Sequence, residues 1–194
     1  MIASVLTLEM NDLQRLGKQL DEYGIHKLVY SHFPGKNRQF LYLDKGGRFN
    51  ERCILMLSQN MPESTGMGRL QNKEVPSEYL KQEVYAFEVR LNPVTRLSGS
   101  KICTAVKGRN KLVQWFLNHQ QNWGFMTEID KLDVFDIGVQ QFLKQDQMIT
   151  HNKATFRGIL KITDREKFIK SFEKGIGRGK AFGFGLLQIR PIRA

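Results

Sequence analysis

Tyr23 and His26 are the residues whose types and spacing best suit acid–base chemistry. They lie in the run Tyr23-Gly24-Ile25-His26, and residues three apart on a helix share a face. A phenol and an imidazole on one face can exchange protons with a substrate, because imidazole titrates near neutral pH. The alternative is a helix-end histidine that is only solvated or hydrogen-bonded, and the local pattern alone favours that alternative.

A glycine-rich run near the C-terminus is the second candidate site. Arg178 and Lys180 lie between its glycines, and glycine reaches positive φ at little cost. Such a run can wrap backbone N–H groups around an anion, and two cations in the same turn suggest that the anion is a phosphate. A helix C-cap followed by a tight connection into a strand explains the pattern equally well. The glycines are Gly175, Gly177, Gly179, Gly183 and Gly185.

Basic residues exceed acidic ones by a margin that predicts a polyanionic partner. Lys and Arg number 30 against 19 Asp and Glu, which gives a formal net charge of +11. We expect nucleic acid rather than a membrane, because two basic sets fall in the second half of the chain. For any single lysine, a solvated surface is the usual explanation. The sets are Arg96, Lys101, Lys107, Arg109 and Lys111, and then Lys144, Lys153, Arg157, Arg178 and Lys180.

Other chemistries lose support from the sequence. Glu128, Asp130, Asp133 and Asp136 are clustered carboxylates, but their spacing suits no familiar two-metal motif. A solvated edge that balances local charge is the simpler interpretation, and no metal or cofactor is predicted. The patterns GxxxxGKS/T, HExxH and GxSxG do not occur, which disfavours P-loop, zinc-protease and serine-hydrolase activity. A transferase that binds a phosphorylated cofactor through the glycine-rich run stays open as an alternative.

Cysteine content and hydropathy both favour the cytoplasm. Cys53 and Cys103 are too few for a disulfide scaffold and form no CxxC motif, so a reduced setting is expected. No apolar run approaches the roughly 20 residues that span a bilayer. The N-terminus lacks the basic flank and cleavage site of a signal peptide.

Two similar halves must position the candidate residues. In the first half, a strand over residues 2–8 precedes a helix that Asn11 can cap, and two apolar runs follow. We expect Gly24 to bend or interrupt this helix, and residues 66–81 can hold either a fourth strand or a poor helix. The second half opens with a strand of alternating apolar residues over 85–91, followed by a helix from about 108 to 121.

The rest of the second half completes the same order of elements. An extended segment over 132–143 and an alternating strand over 154–162 are predicted, and then Thr163 with Glu166 forms a capping box for a helix that Gly175 ends. The order β-α-β-β-α-β is typical of a ferredoxin-like unit. We therefore predict an α+β fold of two tandem ferredoxin-like (RRM-like) domains with antiparallel sheets, residues 1–80 and 81–194.

Five motifs follow one another over essentially the whole chain. They are Tyr23-x-x-His26, His32-Phe33-Pro34, Met61-Pro62-Glu63-Ser64, Arg90-Leu91-Asn92-Pro93, and Gly175-Ile176-Gly177 with Ala181-Phe182-Gly183-Phe184-Gly185-Leu186-Leu187. In this order the chain closely resembles the CasE-type family of CRISPR repeat-RNA processing endoribonucleases, a Cascade subunit type within the RAMP superfamily. The glycine-rich terminus is the most specific of the five motifs, and the Tyr/His pair is the weakest in isolation.

The resemblance implies tandem ferredoxin-like domains and a metal-independent endoribonuclease. Such proteins bind the stem-loop of the CRISPR repeat in the precursor transcript and cut at the 3′ base of the stem. The ribose 2′-OH attacks the adjacent phosphate and leaves a 2′,3′-cyclic phosphate and a 5′-OH, and the mature guide RNA is retained for the Cascade complex. The remaining alternative is a subunit that grips structured RNA without cutting it.

Carried to this chain, the resemblance makes His26 the general acid/base and Tyr23 its partner, which reverses the preference from the local pattern. A cation is also needed near the pentacoordinate phosphate. Lys153, taken as a loop residue before a strand, is the first choice, and Arg157 is the second.

The implied partners are repeat RNA and other Cascade subunits, with no membrane. The expected RNA contacts are Arg96, Lys101, Lys107, Arg109, Lys111, Arg157, Arg178 and Lys180, which should meet duplex RNA by shape and phosphate.

Overall fold

The computed structural model describes residues 1–35, 38–48, 50–96, 99, 103–144 and 147–192. None of the helices in these ranges is long and apolar enough to cross a membrane. The helices are α1 (Met10–Leu16), α2 (Glu22–Ser31), α3 (Arg109–His119) and α4 (Arg165–Lys174). The strands are β1 (Ile2–Leu8), β2 (Phe40–Arg48), β3 (Glu51–Ser58), β4 (Arg69–Glu74), β5 (Val84–Leu91), β6 (Val94–Arg96), β7 (Cys103–Ala105), β8 (Phe125–Met126), β9 (Leu132–Lys144), β10 (Gln147–Ile162) and β11 (Gln188–Pro191).

The first half is an antiparallel sheet in the order β2-β3-β1-β4, with the helices on one face. Successive side chains of a strand point to opposite faces, and Leu6 and Ile54 on one face pack with Ile25 and Val29 of α2. The opposite face carries residues such as Leu41, which is buried in the core of the second half. The first sheet therefore has helices on one side and the second half on the other.

The second half repeats this arrangement with the order β11-β5-β10-β8, and β9 also pairs with β10. Tyr85 and Phe87 of β5 are buried with Phe116 of α3 and Phe168 of α4. At the centre of each sheet, the first strand of the unit lies beside the second strand of its main hairpin, β1 beside β3 and β5 beside β10, as in a ferredoxin-like unit. The predicted α+β class with two ferredoxin-like units is confirmed. The boundary near residue 80 stays a prediction, and it falls in the 3₁₀ turn Ser77–Leu80 between the two sheets.

Several predicted helix ends were wrong by one or more residues. Helix α1 is capped by Glu9 rather than Asn11, and it ends at Gly17. Gly24 does not interrupt a helix, because it lies in the first turn of α2 and donates its N–H to the Asp21 carboxylate at 2.7 Å. Helix α4 starts after Asp164, not Thr163. Residues 66–81 form β4 and a 3₁₀ turn, which is the strand alternative.

The long hairpin of β9 and β10 is the element that most affects the site. The two strands contain 13 and 16 residues. Their register shifts between Lys153 and Thr155, and Asp136 opposite this point has φ 49°. A register shift of this kind is a β-bulge, in which one strand has an additional residue opposite its partner. A bulge changes the direction in which nearby side chains point.

Candidate active site

Three elements meet around His26, one from the first half and two from the second. Helix α2 carries Tyr23 and His26, and the glycine-rich loop carries Phe182, whose ring stacks on His26 with centroids 5.0 Å apart. Phe142 of β9 lies 4.6 Å from the Phe182 ring and stacks on Tyr23 at 6.2 Å. The Tyr/His pair therefore sits at the junction of the two ferredoxin-like units.

The orientation of His26 is set by a backbone carbonyl of the glycine-rich loop. Its Nδ1 atom lies 2.8 Å from the carbonyl oxygen of Ala181. Because a carbonyl oxygen only accepts, Nδ1 must carry the hydrogen, and in the neutral ring the lone pair is then on Nε2. The Tyr30 ring contacts the imidazole at 4.2 Å between centroids. Nε2 is consequently the atom of His26 that can take up or release a proton.

Tyr23 lies beside His26 as the helical spacing predicts. The two rings are nearly parallel, with an interplanar angle of 11° and centroids 5.6 Å apart. Lys27, which the sequence analysis did not single out, places its Nζ 4.5 Å from the centre of the Tyr23 ring. Helix α2 thus presents a phenol, an imidazole and a cation close together.

The glycine-rich loop acts as a scaffold for the Ala181 carbonyl. Ala181 is the middle residue of the 3₁₀ turn Lys180–Phe182, and left-handed glycines flank this turn, Gly179 at φ 80° and Gly183 at φ 82°. The Phe182 N–H donates to the Gly179 carbonyl at 2.8 Å. Non-glycine residues rarely adopt this left-handed conformation. The glycines therefore allow the tight path that presents Ala181 to His26.

Lys180 is directed into this loop rather than away from it. Its Nζ donates to the carbonyl oxygens of Lys174 at 3.0 Å and Gly175 at 2.7 Å. These carbonyls belong to the end of α4, where a cation is favourable. Burial lowers the pKa of the Lys180 ammonium. Its predicted contact with RNA stays a prediction, and in this structure the side chain braces the loop.

Lys153 lies inside β10, so its placement in a loop was wrong. It is opposite Gly138 of β9, and its Nζ forms an ion pair with Asp136 at 2.8 Å. Asp136 also lies 3.5 Å from Arg90. Paired residues of an antiparallel ladder share a face, so Lys153 is on the face that carries Gln140 and Phe142 and turns toward α2. The candidate cation and the helix that carries Tyr23 and His26 are thus on facing elements.

Charges of both signs are collected beneath the start of α2. Burial and the nearby Asp44 raise the pKa of Glu22, the first residue of α2, and Arg52, Arg90 and Lys153 oppose this rise. Arg52 forms an ion pair with Asp44. Lys153 is therefore one of the cations around Glu22, at the N-terminal end of α2.

The predicted RNA-contact residues fall into two groups. Arg109 and Arg157 both form ion pairs with Asp133, and the Arg157 guanidinium lies over the Phe135 ring at 4.7 Å. Arg109 and Arg157 hold the pKa of the exposed Asp133 carboxyl below its usual value. Arg157, the second-choice cation, is thus engaged at the start of the hairpin.

The second group lies at the two-stranded ribbon of β6 and β7. Arg96 is exposed and pairs in register with Cys103, and Arg178 donates to the Cys103 Sγ at 2.9 Å. Trp115 of α3 fixes the ribbon by donating to the Val94 carbonyl at 3.1 Å. Lys107 is exposed between this ribbon and α3, Lys111 is exposed in the first turn of α3, and Lys101 lies outside the described residues.

Three of the four clustered carboxylates are paired with cations rather than gathered at one point. Glu128 pairs with Lys131 at 2.9 Å. Asp133 and Asp136 form the pairs with arginine and lysine described above. Across the described ranges, no group of three or more His, Cys, Asp or Glu side chains is arranged to hold a metal ion. Charge balance is the role that the geometry supports for these carboxylates.

The other histidines differ from His26 in their surroundings. His151 lies in β10 rather than a loop, between Phe182 at 5.3 Å and Phe184 at 5.5 Å, and burial lowers its pKa. His32 is fully buried at the end of α2 and its Nδ1 lies 2.6 Å from the Glu63 carbonyl. These two rings pack the site and the adjoining loop.

Comparison with known proteins identifies relatives along the full length of the chain. The family model described as CRISPR associated protein matches residues 1–191. The CRISPR system Cascade subunit CasE of Escherichia coli is 24% identical over 188 residues, 89% of this chain and 93% of that protein. The CRISPR-associated endoribonuclease Cse3 of Thermus thermophilus is 29% identical over 115 residues, 54% of each chain. A solved structure of Cse3 bound to 19 nt RNA has a TM-score of 0.82 at 19% identity and covers 98% of this chain and 100% of that one.

Proposed function

Because the chain belongs to the family of CRISPR-associated proteins, we propose that it is a metal-independent endoribonuclease that processes CRISPR repeat RNA. The relatives named a Cascade subunit and an endoribonuclease support this activity. The enzyme binds the repeat stem-loop in the precursor transcript, cuts at the 3′ base of the stem and keeps the mature guide RNA for a Cascade complex. Its partners are this RNA and the other subunits of that complex, and its setting is the cytoplasm.

The cut is an internal transfer of the phosphodiester. The 2′-oxygen attacks the adjacent phosphorus, the bond from phosphorus to the 5′-oxygen breaks, and a 2′,3′-cyclic phosphate and a 5′-OH are left. The 2′-OH loses a proton and the leaving 5′-oxygen gains one, so groups that exchange protons near neutral pH must lie on the reacting atoms. Negative charge accumulates on the phosphate oxygens, and a fixed cation stabilises it.

We assign the proton exchange to His26, with Tyr23 as its partner. The observation that carries this assignment is the hydrogen bond from Nδ1 of His26 to the Ala181 carbonyl, which leaves Nε2 as the reactive atom. An imidazole held in one tautomer by a second group is a recurring arrangement for general acid–base catalysis. Tyr23, stacked beside His26, is placed to orient the ribose or to share the proton transfer.

We assign the transition-state cation to Lys153. Replacing it by methionine keeps all but the last atom of the side chain's length and removes its charge, so we expect single-turnover cleavage to slow by about 30-fold. Repeat-RNA affinity should change by less than about threefold, because one phosphate contact among several is lost. The measurement is the cleavage rate constant with enzyme in excess. Arg157→Met is the matched variant, and a larger loss for Arg157→Met than for Lys153→Met would exchange the two assignments.

The experiment that tests the proposed function is cleavage of a repeat hairpin in EDTA. We expect one cut at the 3′ base of the stem, a 2′,3′-cyclic phosphate on the upstream product and a 5′-OH on the downstream one. The end groups are read by phosphatase and kinase treatment followed by gel mobility. Tight binding of the uncut hairpin without any cleavage would instead show a subunit that grips RNA and does not cut it.

A further inference from the structure

Gln140 of β9 connects the two elements that carry and orient His26. Its side chain is 6% exposed. The amide nitrogen donates to the Glu22 carboxylate at 2.9 Å and to the Phe182 carbonyl at 3.3 Å. The Phe182 carbonyl oxygen and the ionised Glu22 carboxylate are acceptors that have no hydrogen to donate. The NH₂ group of Gln140, rather than its amide oxygen, must therefore face them.

The two residues that accept hydrogen bonds from Gln140 are each adjacent in the chain to a residue of the candidate site. Glu22 is the first residue of α2 and precedes Tyr23, and Phe182 follows Ala181, the hydrogen-bond acceptor of His26. One buried amide therefore ties the start of the catalytic helix to the turn that holds the imidazole. Because α2 belongs to the first half and the turn to the second, this amide also acts across the junction of the two units.

The neighbouring residue provides a contrast on the same strand. Gln141 is exposed and donates to the Thr150 hydroxyl at 3.2 Å, on the opposite face of the hairpin. It has the same side chain and also donates a hydrogen bond, but it points away from α2 and from the glycine-rich loop. The position of Gln140, not its residue type, distinguishes it.

We propose that Gln140 is a positioning residue for His26: its amide fixes the distance between α2 and the Ala181 turn and so holds His26 in the Nδ1–H tautomer. This inference rests on the proposed function only where it predicts a slower cleavage of repeat RNA. The effect on the tautomer is a property of the protein without RNA. A small displacement of a catalytic group is costly in rate because the reacting atoms must be held in a narrow geometry.

The test replaces Gln140 by methionine, which matches its length and removes both donors. We expect the single-turnover cleavage rate constant to fall about tenfold while the dissociation constant for repeat RNA stays within about twofold. In the RNA-free protein, imidazole ¹⁵N shifts should show the Nδ1–H tautomer of His26 in the wild type and a mixture of tautomers in the variant. Gln140→Leu, which is apolar and also has no donor, is the second variant should Gln140→Met fold poorly.

Gln141→Met is the matched control and should leave both readouts at wild-type values. An unchanged His26 tautomer in Gln140→Met, or a rate constant within twofold of that of Gln141→Met, overturns the inference. If the wild type cuts no repeat RNA, the proposed function fails, and the tautomer comparison still decides whether Gln140 positions His26.

Discussion

Replacing His26 by alanine is expected to slow repeat-RNA cleavage by about 10²- to 10⁴-fold, the contribution of a positioned acid–base group. The reason is that the proposed mechanism has Nε2 of His26 exchange the proton, and the Ala181 carbonyl cannot take over this role. RNA affinity should stay near the wild-type value, since the basic groups lie on β6, α3 and the start of the hairpin. The measurement is the single-turnover rate constant together with the dissociation constant of the hairpin.

A matched histidine variant separates chemistry from packing. His119 is also half-buried on a helix, and its ring contacts that of Trp115 with centroids 4.5 Å apart. His119→Ala removes the same side chain and should leave the cleavage rate constant within about threefold after correction for folded protein, because surface-side packing changes alter stability rather than chemistry. A His26→Ala rate within a few-fold of the His119→Ala rate would contradict the assignment of His26.

The tandem ferredoxin-like fold could be predicted in part because the central strand β5 alternates strictly between buried and less buried side chains. In residues 85–91 the large apolar side chains fall at every second position, and β5 buries this set: Tyr85, Phe87, Val89 and Leu91. Helix ends were less predictable, because a cap is one hydrogen bond that several neighbouring residues can make. Asp164, next to the predicted Thr163, makes the cap on α4.

Lys153 shows why a strand can be mistaken for a loop. The polar run from His151 to Lys153 has no apolar alternation, and polar runs are typical of loops. In the structure this run pairs with residues 138–140 of β9, so the long hairpin supplies the hydrogen bonds that a short strand would lack. Pairing with the neighbouring strand of the hairpin overrides local preference.

Helical spacing predicted that Tyr23 and His26 lie side by side, but nothing in the sequence predicted the backbone carbonyl that orients His26. Ala181 contributes a backbone carbonyl, which every residue type has, and it is 155 positions from His26 along the chain. The glycines at 179 and 183 signalled a tight turn but not what the turn presents. Gln140 carried no motif at all. Groups that act through the backbone or across the junction of two units leave little trace in a single sequence.

Among the glycine-to-alanine substitutions in the glycine-rich loop, we expect Gly185→Ala to be the most destabilising. Gly185 has φ 82°, and a Cβ there would overlap the Ile176 carbonyl oxygen. Its carbonyl accepts from the Ile176 N–H at 3.0 Å and its N–H donates to the Arg90 carbonyl at 2.8 Å, so the backbone is held on both sides. We expect the free energy of unfolding to fall by about 3 kcal/mol, the left-handed strain plus the overlap in a packed region.

Gly66 supplies the control for Gly185 because it shares the backbone conformation without the contacts. It has φ 72°, it is exposed, and a Cβ there would meet nothing within 4 Å. Gly66→Ala should therefore cost only the strain, about 1 kcal/mol. Urea denaturation of both variants measures the difference, which isolates the packing of the loop from its backbone conformation. Equal losses would show that the loop can move aside at Gly185. In that case the close packing of the loop would not be what holds the Ala181 carbonyl against His26.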